Sequence, residues 1–175
     1  MILVEGVDNT GKTTLVKQLK ERFPMLEVVK SPGPGPELGK WVCAELLQHQ
    51  PAKTKIYDRF FFSEFVYGPV LRGSICFSDR ESKLIFGLLR VAYPLTIICY
   101  RNVQDSLKTF NDREQMEGVE NKYLHLVAGY QTVVEPMLVK YGLPYITHNF
   151  ADSNAFEDEV VPRVAQHLRR RKLLS

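Results

Sequence analysis

Most of the chemistry legible in the sequence lies in one run, Gly6-Val7-Asp8-Asn9-Thr10-Gly11-Lys12-Thr13. It matches G-x-x-x-x-G-K-[ST] at every defined position. Glycines at both ends let the backbone turn sharply and bring its N–H groups against phosphate oxygens. A helix opening at Thr13 would add the partial positive charge of its N-terminus. Lys12 would supply a point charge to the β and γ phosphates, and the Thr13 hydroxyl is spaced for Mg²⁺. Asp8, Asn9, Thr10 and Thr14 complete the nucleotide-binding loop. The pattern predicts ATP or GTP as ligand.

Further residues could act on a bound triphosphate. Asp58 can hold the Mg²⁺ shell or take a proton from an attacking hydroxyl. Arg59 can clamp an acceptor or the transferring phosphoryl group, or serve only as a structural ion pair. Glu5 points toward the same crevice as a base, a hydroxyl ligand or a partner for Arg59. In the aromatic run Phe60 to Tyr67, Phe62 and Tyr67 are the candidates to stack on a pyrimidine. Glu64 would meet a sugar hydroxyl or base edge, and Arg72 an acceptor phosphate.

These residues need a scaffold. Short apolar strands are predicted at 2–4, 26–29, 55–57, 95–100 and 144–147. Helical spacing marks 13–23, 37–49, 62–67, 79–91 and 157–171, and a long helix over 123–141 that breaks or restarts near Pro136. The alternation predicts an α/β three-layer sandwich: a five-stranded parallel sheet flanked by helices. Residues 1–175 form a single domain, with a mobile lid around 109–121.

Other classes fall away. A guanine-specific GTPase needs N/T-K-x-D, and Asn121-Lys122-Tyr123-Leu124 lacks the aspartate. A motor ATPase needs more chain and a strand ending in Asp-Glu. Small phosphotransferases for nucleosides, nucleotides or similar metabolites remain. A P-loop binding module or ATPase without an acceptor is the reading from another class.

The residues then resemble a family. Val4-Glu5-Gly6-Val7-Asp8-Asn9-Thr10-Gly11-Lys12-Thr13-Thr14 looks like the opening of thymidylate kinases, F-E-G-x-D-G-[SA]-G-K-[ST]-T. Lys30-Ser31-Pro32-Gly33-Pro34-Gly35-Pro36 sits where that family has R-E-P-G-G-T-x. Asp58-Arg59-Phe60 sits at its D-R-[YF]. The acceptor side departs: Lys30-Ser31 replaces Arg-Glu, and the Gln of Y-Q-G is missing after Tyr67. That stretch, with 113–119, looks more like bacteriophage-encoded relatives, some of which phosphorylate 5-hydroxymethyluracil in DNA. The resemblance implies an ATP donor, Mg²⁺, and an acceptor that is a free pyrimidine deoxynucleotide or a modified base in DNA. It implies a lid arginine, with Arg113 for the donor phosphates and Arg101 as hinge or structural. It places a donor-base loop at 149–153, and it allows a homodimer.

Composition bounds the rest. The chain has 175 residues, with 45% apolar, 25% charged and a formal charge of +3. Such a chain buries a sufficient core without metal or disulfide staples. Cys43, Cys76 and Cys99 are widely spaced and read as buried free thiols. No apolar run is long enough for a membrane helix, and the start lacks signal-peptide character. A cytoplasmic protein is expected (in the host cytoplasm if phage-encoded). The run Arg169 to Lys172 reads as a solvated helix end or, alternatively, a DNA-backbone contact.

Overall fold

A computed structural model describes residues 1–50, 53–108, 119–152 and 154–170. Strand β1 (Ile2–Gly6) is buried along its whole length because it lies at the centre of the sheet. The strands β2 (Glu27–Lys30), β3 (Lys55–Asp58), β4 (Leu95–Tyr100) and β5 (Tyr145–Asn149) complete the order β2-β3-β1-β4-β5. Every pairing is parallel. β4 is buried at all but its last position and apolar there except for Thr96, as a strand covered on both faces requires. Since all strands run the same way, Gly6, Lys30, Asp58, Tyr100 and Asn149 end along one edge. Open sheets of this kind bind ligands outside that edge.

Helices cover both faces. They are α1 (Lys12–Arg22), α2 (Leu38–Leu47), α3 (Phe62–Tyr67), α4 (Asp79–Ala92), α5 (Val103–Lys108), α6 (Tyr123–Gly129), α7 (Glu135–Lys140) and α8 (Val161–Arg170). The period-two alternation of β1 divides the core. Leu3 joins one cluster with Tyr57, Phe61, Phe86 and Tyr130. Ile2 and Val4 join the other with Leu15, Leu19, Val164 and Leu168. α4 starts with a capping box: the Ser78 hydroxyl accepts from the Glu81 N–H, and the Glu81 carboxylate accepts from the Ser78 N–H.

The α/β sandwich expected from the sequence is the observed fold. The long helix restarts near Pro136, as its spacing predicts. A π-helical turn, Tyr130–Val134, joins α6 to α7 and leaves the proline in the first turn of α7, where its missing N–H costs little. Among the thiols only Cys99 is buried; Cys43 and Cys76 are half-buried. Among the described residues, no helix is long and apolar enough to cross a membrane.

Candidate phosphate-transfer site

The loop between β1 and α1 needs glycine at both ends. Gly6 has φ +139° and Gly11 φ +82°. A Cβ on Gly6 would lie 2.4 Å from the Cys99 carbonyl oxygen, and one on Gly11 2.0 Å from the Phe150 ring. The Thr10 hydroxyl donates to the Val7 carbonyl at 2.8 Å, bracing the turn from within. Lys12 Nζ donates to the same carbonyl. Burial and the nearby Arg59 guanidinium push the Lys12 ammonium down to about 8, against the pull of Asp8. Asn9, Gly11, Lys12, Thr13 and Thr14 line an outer compartment, with Lys30 and Ser31 on its far wall.

Thr13 and Asp58 meet across this compartment, the hydroxyl donating to Asp58 Oδ2 at 2.9 Å. This follows from topology: β3 pairs with β1 and stops where α1 begins. Two hard oxygens at the mouth of a phosphate loop fit Mg²⁺, which takes few protein ligands beside substrate phosphates.

Arg59 occupies the turn after β3 at φ +65°, with its N–H held by the Val4 carbonyl at 3.0 Å. Its guanidinium donates to the Gly6 carbonyl at 3.2 Å, the Ser63 hydroxyl at 3.3 Å, the Tyr67 hydroxyl at 3.3 Å and the Asp8 carboxylate. The Tyr67 hydroxyl donates to Asp8 Oδ2 at 3.0 Å and accepts from the Asp8 N–H at 3.0 Å. Burial works to raise the Asp8 carboxyl, but Arg59, Lys12 and Tyr67 prevail and hold it below its ordinary range.

Glu5 is fully buried and faces neither compartment. It accepts from the Phe60 N–H at 2.9 Å, the Ser63 hydroxyl at 2.6 Å and the Tyr130 hydroxyl at 3.3 Å. Burial raises its carboxyl despite these donors. Of its three sequence readings, the geometry gives a fourth: Glu5 anchors the turn that carries Arg59, while Arg59 itself pairs with Asp8.

An inner compartment of about 230 Å³ opens behind Arg59. Pro34, Leu38, Phe60 and Tyr67 supply its apolar walls. Glu64 lines it while buried, accepting from Arg72 Nη2 at 2.6 Å and the Cys76 N–H at 2.8 Å. Asp8, Ser31, Asp58 and Arg59 line both compartments and form the wall between them.

Phe62 corrects the sequence reading. It is wholly buried, with ring centroids 4.3 Å from Phe61 and 6.3 Å from Phe86, and has no face for a base. Phe60 takes the lining position that the sequence reading did not single out. Helical geometry explains the exchange: Phe60, Ser63, Glu64 and Tyr67 recur at three- and four-residue steps, and Phe62 falls on the other side. Tyr130 was also missed, since it arrives from a distant part of the chain, whereas Phe150 falls in the expected donor-base loop. Phe150 rests on Gly11 with Arg101 5.9 Å above its ring, and Arg101 Nη1 is 3.5 Å from the Asn9 carbonyl. Arg101 thus sits over the phosphate loop. Arg113, nearly all of the expected lid, and Ser153 of the expected donor-base loop lie outside the described residues. So do Arg171 and Lys172. Arg169 and Arg170 end the helix that runs back from the crevice edge, and Leu168 beside them packs in one cluster with Phe23 and Leu26, which precede β2. Those charges lie at the opposite edge of the sheet.

No family model matches the chain. It is 37% identical over 93 residues to a thymidylate kinase of Wolinella succinogenes, covering 50% of this chain and 47% of that protein. The chain therefore spans about half the length of that relative. It is 25% identical over 178 residues to a thymidylate kinase of Sulfurovum sp., covering 87% and 92%. Among solved structures, the YorR protein of Bacillus subtilis, in complex with phosphorylated GDP, superposes with a TM-score of 0.70 at 16% identity, over 95% of this chain and 97% of that one. Deoxyadenosine kinase from M. mycoides with bound dCTP gives 0.60 at 14% identity, over 95% and 100%. The fold is that of P-loop nucleotide kinases. Within that fold, the outer compartment is the phosphate loop's own, and the inner one opens where β3 ends.

Proposed function

We propose that the protein is an ATP- and Mg²⁺-dependent phosphotransferase that moves the γ-phosphoryl group to a pyrimidine deoxynucleotide unit. That unit is either a free monophosphate or a hydroxymethyl-bearing base in DNA. The observation that carries this reading is the shared wall: Asp8, Asp58 and Arg59 line both compartments. Transfer requires donor and acceptor oxygens in line on the two sides of the phosphoryl group.

The loop N–H groups and Lys12 hold the β and γ phosphates, and Arg101 and Phe150 cover the loop from the β5 side. Thr13 and Asp58 would hold Mg²⁺, which when bound neutralises phosphate charge. Arg59 faces the transferring group from the wall, where it can stabilise charge spread over the equatorial oxygens. The apolar walls of the inner compartment suit a flat base. The relatives named thymidylate kinase support a pyrimidine. With nucleotides as substrates, the cytoplasm is the proposed compartment. A P-loop ATPase without an acceptor would leave the inner compartment without a purpose.

ADP release from ATP and Mg²⁺, measured with and without thymidylate or hydroxymethyluracil DNA, tests the reading. Release that rises with acceptor is expected. Release unaffected by either acceptor would mean an ATPase.

A further inference from the structure

We propose that Tyr123 is a positioning residue for the donor: its hydroxyl fixes the Asp8–Asn9 peptide so that the Asn9 N–H is presented to the β and γ phosphates. This rests on the kinase reading above and adds to it a residue from outside the phosphate loop and its motif. Tyr123 opens α6 and is buried in the core. Its hydroxyl reaches across 115 residues of sequence and donates to the Asp8 carbonyl at 3.2 Å. Burial raises that hydroxyl above its ordinary range, so it remains a donor at neutral pH. The start of α6 is anchored as well, because Lys122 Nζ donates to the Val70 carbonyl at 2.7 Å.

Asp8 is bonded at three points, and they do different things. Its N–H and its carboxylate meet Tyr67, and the carboxylate also meets Arg59; those bonds belong to the wall. The carbonyl bond governs the next peptide. A trans peptide is planar, and its carbonyl and the following N–H point in opposite directions. Holding the Asp8 carbonyl at Tyr123 therefore turns the Asn9 N–H to the other side. Asn9 lines the outer compartment, and its own carbonyl lies 3.5 Å from Arg101 Nη1. Asn9 stands at φ +61°, in the left-handed region that asparagine tolerates at some cost. Rotation of the Asp8–Asn9 peptide would take Asn9 out of that region, so local strain favours the flip. The flip would aim a carbonyl oxygen where an N–H stood, and repel phosphate where the loop should attract it. The Tyr123 bond opposes this rotation.

Tyr123→Phe keeps the ring in the core and removes only the hydroxyl. With the full-length protein and Mg²⁺, direct titration should show the Kd for ATP raised about tenfold. Tripolyphosphate, which carries no base, should weaken by the same factor. In turnover the KM for ATP should rise in step while kcat stays within about twofold, as when binding is lost equally from ground and transition states. Val127→Ala truncates an apolar side chain of the same helix and controls for a loosened core. It should lower the melting temperature and leave both affinities within about twofold. Unchanged ATP affinity in Tyr123→Phe overturns the inference. So does a loss for ATP that tripolyphosphate does not share, which puts the defect at the base. An equal loss in Val127→Ala also overturns it, since packing then explains the effect. In all three cases the wild-type activity, and with it the kinase reading, stands. Wild-type protein that binds neither ligand overturns both.

Discussion

The two compartments are built on opposite electrostatic plans. In the outer one, the cation of the loop is bonded to a backbone carbonyl, and beside the shared wall the lining adds the Thr13 and Thr14 hydroxyls and a second lysine, Lys30. It is arranged to receive an anion. In the inner one, Arg59 is tied to Asp8, and the adjoining Arg72 to Glu64. It is already neutralised from within. The lesson is that a cation near a crevice says little until its partners are known.

The largest expected effect follows from the outer plan. Lys12→Ala removes a buried charge aimed at developing phosphate charge, and kcat should fall about 10³-fold. The melting temperature should change little. If activity survives, the outer compartment is not the donor site. Asp58→Asn comes next. It should lower kcat about 100-fold and raise the Mg²⁺ concentration for half-maximal rate, since the carboxylate charge beside Thr13 is lost. An unchanged Mg²⁺ dependence would remove Asp58 from the metal's surroundings.

Glu5→Ala tests the wall by another route. It leaves the Phe60 N–H and the Ser63 hydroxyl without their acceptor, while Tyr130 keeps Ser63, at a cost of about 3 kcal/mol. That corresponds to a fall of about 8 °C in melting temperature for a chain of this size. A stable Glu5→Ala protein would mean that the Arg59 turn does not depend on this anchor.

Lys12 also gives a pH dependence. Its proton leaves the free protein as pH rises through about 8, and the neutral amine no longer attracts phosphate. The kcat/KM for ATP should therefore fall above pH 8 with the loss of one proton, and Lys12→Arg should abolish that fall. Stability moves the other way. Between that value and the ordinary lysine range the unfolded chain holds a proton that the folded chain has lost, so this group's contribution rises with pH. The smallest effect belongs to the inner walls. Tyr67→Phe removes a hydroxyl shared by Asp8 and Arg59 and should raise the acceptor KM about threefold, leaving the KM for ATP unchanged. If the ATP KM moves equally, the two compartments are not separable.

What the sequence disclosed follows the same division. The phosphate loop was legible because its function is local: glycine, lysine and threonine act at fixed offsets along one turn. The central strands β1 and β4 were legible because near-continuous apolar runs of strand length fit a strand covered on both faces. The inner compartment was legible only in its residue types. Arg59, Glu64, Tyr67 and Arg72 were all singled out, but no spacing announced that Asp8 would return from 51 residues away to neutralise Arg59. Glu5 looked catalytic because it leaves the central strand toward the crevice. Only the arrival of Tyr130 from a distant helix, through a π-helical turn, reveals its enclosure. Phe62 was misjudged for a simpler reason: in a run of aromatics, composition does not tell which face of a one-turn helix is wet.

The central claim is that one wall, Asp8, Asp58 and Arg59, serves a donor on one side and an acceptor on the other. The most direct measurement is the destination of the labelled γ-phosphate in single-turnover reactions with and without acceptor. The account expects the label on the acceptor, with little inorganic phosphate formed when the acceptor is absent. Label released as inorganic phosphate at the same rate in both reactions would contradict it.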